Sequence, residues 1–240
     1  MIKLPEITLN PAIDVSKCAA ELQKNGRVQI HNFFAKDTAE TLHQMVADHK
    51  PWYLAYNNGD SYYESDLAEF DALTPEQKTG FMNEIYAKAC TQFQYVFCQY
   101  YITQAIDKGE DKGNPIHVMH DFVNGDIFTP FLKNLTGEEN ISFVEAFISK
   151  YRPGDFLTRH DDTHNKNDRV IAYTIGMTKN WDMNWGGHLA FYDNNGNIKH
   201  GLIPDFNTFN AFLIPQEHAV QMVNPSAGSA RTSFLGWANR

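Results

Sequence analysis

Long apolar runs are missing from this 240-residue chain. None reaches the roughly 18 residues that a membrane-spanning helix needs, so no membrane association is expected. The residues after Met1 carry no apolar core of a leader, and no signal peptide is expected. Cysteine is scarce: Cys18, Cys90 and Cys98 are too few, too scattered and odd in number for a disulfide framework. They are expected to be small buried hydrophobes, and a reducing, cytoplasmic setting suits them. Basic residues are outnumbered 20 to 29, with no long run of lysine or arginine. A net charge of −9 excludes a large nucleic-acid-binding face. Internal repeats and low-complexity tracts are absent too, and the oligomeric state leaves no signature. What is present is 42% hydrophobic, enough for one sizeable core. A single domain over 1–240 is expected, with a supporting part at 1–140 and a β-rich core at 141–240.

The chain changes character near residue 141. Upstream, 27–34 reads as a strand, and Asp37 as the cap of a helix running to about His49. The Tyr-rich stretch 51–66 reads as a loop or short strands, and its part from Trp52 to Tyr63 is a candidate lid. Thr74-Pro75-Glu76-Gln77 is a helix start. Phe81, Ile85, Phe93, Phe97 and Tyr100 lie near helical spacing, which predicts one helix to about Ile106. Another is predicted between Asn124 and Gly137. Downstream, short β-rich segments alternate with Pro-Gly, Gly-Gly and Asn-Gly turns: 143–151, 156–162, 169–178, 187–193, 198–203, 208–214, 218–223 and 230–237. Eight short strands of this kind predict a jelly roll.

Four residues carry the chemistry. His160 and Asp162 form an H-x-D pair, His218 follows 58 positions after His160, and Arg231 follows 13 after that. Two imidazoles and a carboxylate make the facial set that holds non-heme Fe(II) with open positions. On a strand, residues two apart share a face, so His160 and Asp162 can reach one ion while Asp161 points away. His218 must then lie on a neighbouring strand. Arg231 can fork onto a carboxylate, and Ser233 shares its face. Metal triad and carboxylate clamp together point to an oxygenase with a keto-acid co-substrate.

The block from Tyr151 to Asp162 (YRPGDFLTRHDD) resembles the metal strand of 2-oxoglutarate/Fe(II) oxygenases of the prolyl-hydroxylase type. Arg169–Tyr173, Trp185–Tyr192 and the ending RTSFLGW from Arg231 fit the same family. The nearest likeness is to ribosomal-protein prolyl hydroxylases and their bacterial relatives. It covers about residues 140–240, with a weaker echo at 26–34. The resemblance implies a mainly β fold with flanking helices: a double-stranded β-helix with N-terminal helices packed on one sheet. It implies Fe(II), with 2-oxoglutarate and O2 as co-substrates and ascorbate as a reductant. His160, Asp162 and His218 would hold the metal. Arg231 and Ser233 would hold the far carboxylate of 2-oxoglutarate, with Tyr151 or Tyr173 lining the pocket. Halogenating relatives lack the carboxylate that Asp162 supplies, so hydroxylation is implied.

One departure stands out, since relatives often place a co-substrate tyrosine where Gly176 stands. His188 is expected to be a strand residue after a turn, His164 to face solvent, and Trp181 and Trp185 to be structural. The substrate implied is a prolyl residue of a protein or peptide. A free amino acid or biosynthetic small molecule is the alternative. A jelly-roll sensor with a vestigial site, or a metal enzyme using no keto acid, stands further off.

Overall fold

The computed structural model of the chain describes residues 6–58, 61–164 and 167–240. The N-terminal part alternates helices and strands: α1 (Val15–Asn25), β1 (Arg27–His31), α2 (Lys36–Asp48), β2 (Tyr53–Asn58), β3 (Ser61–Asp66), α3 (Leu67–Asp71), α4 (Pro75–Ala89), β4 (Tyr95–Tyr100), α5 (Ile102–Lys108), α6 (Val118–Val123) and α7 (Phe128–Thr136). Strands then dominate: β5 (Phe143–Val144), β6 (Phe147–Tyr151), β7 (Phe156–His160), β8 (Arg169–Gly176), β9 (Leu189–Tyr192), β10 (Ile198–Leu202), β11 (Thr208–Leu213), β12 (His218–Val220) and β13 (Arg231–Asn239).

Local signals account for most boundaries. The Asp14 carboxylate accepts from Lys17 N at 3.0 Å and starts α1. The reciprocal Thr74–Gln77 capping box starts α4. Gly137, at φ +73°, ends α7.

The strands form one curled antiparallel sheet in the order β1-β11-β8-β13-β6-β4-β7-β12-β9-β10. Strand β4 pairs with both β6 and β7 and so joins the two layers of the jelly roll, β1-β11-β8-β13-β6 and β7-β12-β9-β10. Alternation divides each strand of the larger layer between two environments. The face with Tyr173, Ile175, Phe209 and Phe234 packs in the main core with α1, α2 and α5–α7. The other face looks into the roll, where Ala172 and Phe212 meet Leu189, Phe191 and Leu202 of the smaller layer.

The sequence reading departs from this fold at several points. The helix expected to reach Ile106 ends at Ala89, and 95–100 is β4. Phe93, Phe97 and Tyr100 fit helical spacing, but the β-branched and aromatic run Tyr95-Val96-Phe97 gains two partner strands in extended form and residues 98–100 gain a third, β6. The stretch 51–66 is largely the hairpin β2–β3, with residues 59 and 60 outside the described set. Ala35 rather than Asp37 caps α2, leaving Asp37 in the first turn. Only Cys98 of the three cysteines is buried; Cys18 is half-buried and Cys90 exposed. No described helix is long and apolar enough to cross a membrane.

Phe209 is fully buried, stacked on Phe33 with centroids 4.6 Å apart and edge-on to Phe131. Phe209→Ala is expected to remove about 3–5 kcal/mol of stability, read from urea unfolding. Burial pushes the His49 imidazole down to about 4 between Trp52 and Tyr100. A folded-state value below the unfolded 6.5 means that the neutral form is favoured by folding. The His49 contribution is therefore complete above pH 6.5 and lost as pH falls from 6.5 to 4. Urea midpoints of His49→Gln should fall less steeply than wild type across that window.

Candidate active site

Strand β12 sets His218 directly opposite His160 of β7. The next pairing is Val220 with Leu157, so β7 carries one extra residue between the two pairs. This bulge re-aims the strand. Strict alternation from Leu157 would point Arg159 inward and His160 outward. With the bulge His160 faces the roll, and Arg159 lies outside, paired with Glu217 at 3.1 Å.

Each histidine is fixed by the carbonyl two residues before it. His160 Nδ1 lies 2.9 Å from Thr158 O, and His218 Nδ1 lies 2.7 Å from Gln216 O. A carbonyl only accepts, so Nδ1 carries the proton in both rings and Nε2 presents a lone pair. The two Nε2 atoms face Asp162, at 3.3 Å from Oδ1 and 3.4 Å from Oδ2. Among the described residues, this is the group whose donor atoms, all within 4.8 Å of one another, could hold a metal.

Asp162 reaches the site by another route than strand alternation. The strand ends at His160, and Asp162 sits at φ +63°, a left-handed conformation that aspartate tolerates better than most residues. Asp161 turns away and accepts from Thr163 N and Oγ1. Burial works to raise the Asp162 carboxyl, but the His160 hydrogen bond and both histidines hold it at about 2. Burial, helped by the adjacent His160, pushes His218 down to about 4. Burial also works against a charged His160, yet Asp162 outweighs it and raises that imidazole. With both imidazoles neutral, as metal binding requires, the two Nε2 atoms and the ionised carboxylate are three acceptors with no donor among them. A cation satisfies that set, and its composition fits Fe(II).

A second constellation lies on the same inner face. Register places Arg231 opposite Tyr151, and Ser233 opposite both Ser149 and Gly176. Arg231 is 5% exposed, its guanidinium carbon lies 5.2 Å from the Tyr151 ring centre, and its Nε has no hydrogen-bond partner. Burial lowers its pKa, opposed by Tyr151. No carboxylate of the described residues pairs with it: the arginine ion pairs belong to Arg152, Arg159, Arg169 and Arg240. The Ser149 hydroxyl is likewise buried without a partner. An unneutralised buried guanidinium beside spare hydroxyls fits the far carboxylate of a keto diacid.

Tyr173 does not join them. Its ring packs against Phe128 and Phe209 in the helix-covered core, and its hydroxyl donates to Glu145 O at 2.9 Å. Alternation along β8 sends Tyr173 out where Ala172 and Gly176 face in. The glycine departure has a steric cause: a Cβ at Gly176 would lie 2.0 Å from Asp205 O. The loop after β10 occupies the room a tyrosine would need. His188 is half-buried near Arg231, which adds to burial in lowering its pKa, and it stands apart from the triad. His164 is exposed and its Nδ1 accepts from Asn167 N. Trp181 donates to Gly186 O and meets Trp185 edge-on, as structural residues do.

Three contributors escaped the sequence reading. Ser149 lies two residues before Tyr151, a spacing that could have revealed it. Trp237, six after Arg231 on β13, stacks on Phe147 and lies under the Arg169 guanidinium at 3.7 Å. Its buried indole N–H lies on the Asp162 side and gives the smallest of the contributions that hold that carboxyl low. The inner face of β4 is the third: Phe97 stacks on Tyr151 at 4.7 Å and continues through Tyr95 and Phe93 to the His160 ring.

Gly176→Ala should cost about 3 kcal/mol or more, because the clash is with backbone. A thermal melt checks it, and an unchanged melting temperature would contradict the packing described.

Residues 146–239 match the family model of the 2OG-Fe(II) oxygenase superfamily. No curated protein matches the chain. Among solved structures, a Pseudomonas putida prolyl-4-hydroxylase is similar at TM-score 0.58 and 16% identity, over 94% of this chain and 98% of that one. A 2OG-Fe(II) oxygenase family oxidoreductase from Burkholderia pseudomallei gives 0.60 and 14%, over 98% and 95%. A Trichoplax adhaerens prolyl hydroxylase, in complex with a hypoxia inducible factor peptide fragment, gives 0.58 and 15%, over 94% and 89%. At such identities these likenesses establish the shared fold.

Proposed function

We propose that this chain is a dioxygenase of the 2OG-Fe(II) oxygenase superfamily, whose family model matches residues 146–239, and that it hydroxylates a prolyl residue of a protein or peptide. In this superfamily Fe(II), 2-oxoglutarate and O2 together supply the oxidising power, by oxidative decarboxylation of the keto acid coupled to hydroxylation of a C–H bond. The protein's work is binding, orientation and exclusion of water.

His160, Asp162 and His218 are the residues that would hold iron, their tautomers set by Thr158 O and Gln216 O. Trp237 adds a smaller share to the His160 and His218 effects that hold the Asp162 carboxyl low. Arg231 would take the far carboxylate of 2-oxoglutarate through two parallel hydrogen bonds, with hydroxyls from Ser233, Ser149 and Tyr151 around it. Phe97, Tyr151, Val220 and Val223 form the apolar patch that keeps water from this end.

The observation that carries the reading is Arg231: a buried guanidinium without an acidic partner, on the face toward which the triad points. The prolyl part rests on the family likeness and on the aromatic lining of β4. A pyrrolidine ring packs well against such rings.

The test is anaerobic. Fe(II) and then 2-oxoglutarate, added to the purified protein, should give a visible metal-to-ligand absorption band. Asp162→Ala should abolish it. Arg231→Ala should keep it but raise the 2-oxoglutarate concentration required about 10- to 100-fold, the cost of losing charge-assisted hydrogen bonds. Aerobic incubation with a peptide digest should then add one oxygen to proline-containing peptides, read by mass spectrometry. Oxygen appearing only on free amino acids or other small metabolites would replace the prolyl reading.

A further inference from the structure

The aromatic face of β4 leads from the metal site to a carboxylate, Glu64, that no lysine or arginine of the described residues pairs with. Phe93 lies 5.7 Å from the His160 ring and 5.6 Å from Tyr95, centre to centre. It is 45% exposed, a large apolar ring left open beside a metal ligand. Beyond Tyr95 the hairpin β2–β3 bends over the same face. Ala55 stands opposite Phe97 on one side and Glu64 on the other. Its small side chain lets the β3 residues lie across β2 onto β4. There Gln99 Nε2 donates to the Tyr62 hydroxyl at 2.9 Å and to Glu64 Oε1 at 3.0 Å. One amide hydrogen thus holds the Glu64 carboxylate and the other the Tyr62 hydroxyl beside it, and the carboxylate's charge is felt by the Tyr62 and Tyr95 phenols, whose pKa values burial already raises. The lysine and arginine ion pairs of the described residues all lie elsewhere.

We infer that Glu64, with the rings of Tyr95 and Phe93, forms a substrate subsite for a positively charged group held beside the carbon that is hydroxylated. The inference rests on the oxygenase reading above and adds the substrate's charge to it. An ammonium or guanidinium is drawn both to a fixed carboxylate and to the faces of aromatic rings. Two ring spacings separate His160 from Tyr95, a span of about three residues of extended peptide. The charge can come from a lysine or arginine flanking the reacting residue, or from a free amino acid.

The experiment uses the Mn(II)-loaded chain with 2-oxoglutarate, which does not turn over. Fluorescence anisotropy compares labelled proline peptides that differ only in lysine, norleucine or glutamate within three residues of the proline. Free L-lysine and free L-proline serve as competitors. Lysine peptides should bind roughly five- to tenfold more tightly than norleucine peptides, with glutamate weakest. Glu64→Gln should bring the lysine peptides to the norleucine value. Displacement by free lysine at the peptide's own concentration range assigns the charge to a small molecule; resistance assigns it to a peptide. Equal affinities, no binding by any peptide or amino acid, or a lysine preference that survives Glu64→Gln overturns the subsite. The anaerobic Fe(II)–2-oxoglutarate band, recorded on the same wild-type preparation, separates the two failures. A missing band sinks the oxygenase reading, whereas a band without lysine preference sinks the subsite alone.

Discussion

Three metal-ligating groups, two imidazoles and a carboxylate, are forced into one place, and the rest of the structure is arranged around that constraint. Bringing His160 Nε2, His218 Nε2 and the Asp162 carboxylate within 4.8 Å of one another leaves lone pairs facing lone pairs. The backbone enforces it. Each imidazole is locked by a carbonyl two residues upstream, a bulge in β7 swings His160 inward, and a left-handed residue ends the strand at Asp162. Strain of this kind is kept where surrounding structure over-determines it. Here the over-determination comes from β4 and β12, which grip β7 from both sides.

The second constraint is charge. A guanidinium at 5% exposure with no acidic partner among the described residues is costly to bury. Its strand places Ser233 beside it, β6 places Tyr151 and Ser149 opposite, and all face the roll. The cost is returned when a carboxylate arrives. The same strand carries Trp237 to the neighbourhood of Asp162, so a single alternating run reaches from the buried guanidinium to the His-Asp-His cluster. The helices do none of this chemistry. They cover the outer face of the larger layer, where Phe33, Phe128, Phe131 and Phe209 form an interlocked aromatic core.

How much of this was legible in the sequence follows from how local each signal is. The clustering of His160, Asp162 and His218 and the eight core strands announce themselves through spacing and turns, and the strands end within about three residues of the expected limits. The bulge in β7 does not: it exists only because Val220 and His218 pair with Leu157 and His160, and no period within β7 encodes a partner's register. Asp162 was expected on the right face for an insufficient reason, since a left-handed turn rather than alternation brings it in. Tyr173 stood with Tyr151 as a replacement for the family tyrosine at Gly176, whereas its parity along β8 assigns it to the core. Strand β4 was lost because its aromatics satisfy two periods at once, and the tie is broken by three partner strands far away in sequence. That loss hid the inner wall of Tyr95, Phe97 and Gln99, and with it Glu64.

The most direct test of the account is X-ray absorption at the iron edge of the anaerobic Fe(II)-loaded protein, before and after 2-oxoglutarate. The account predicts a shell with two imidazoles and oxygen donors, whose oxygen part changes when the keto acid is added while both imidazoles stay. A shell with any other number of imidazoles, or one that ignores 2-oxoglutarate, would contradict it.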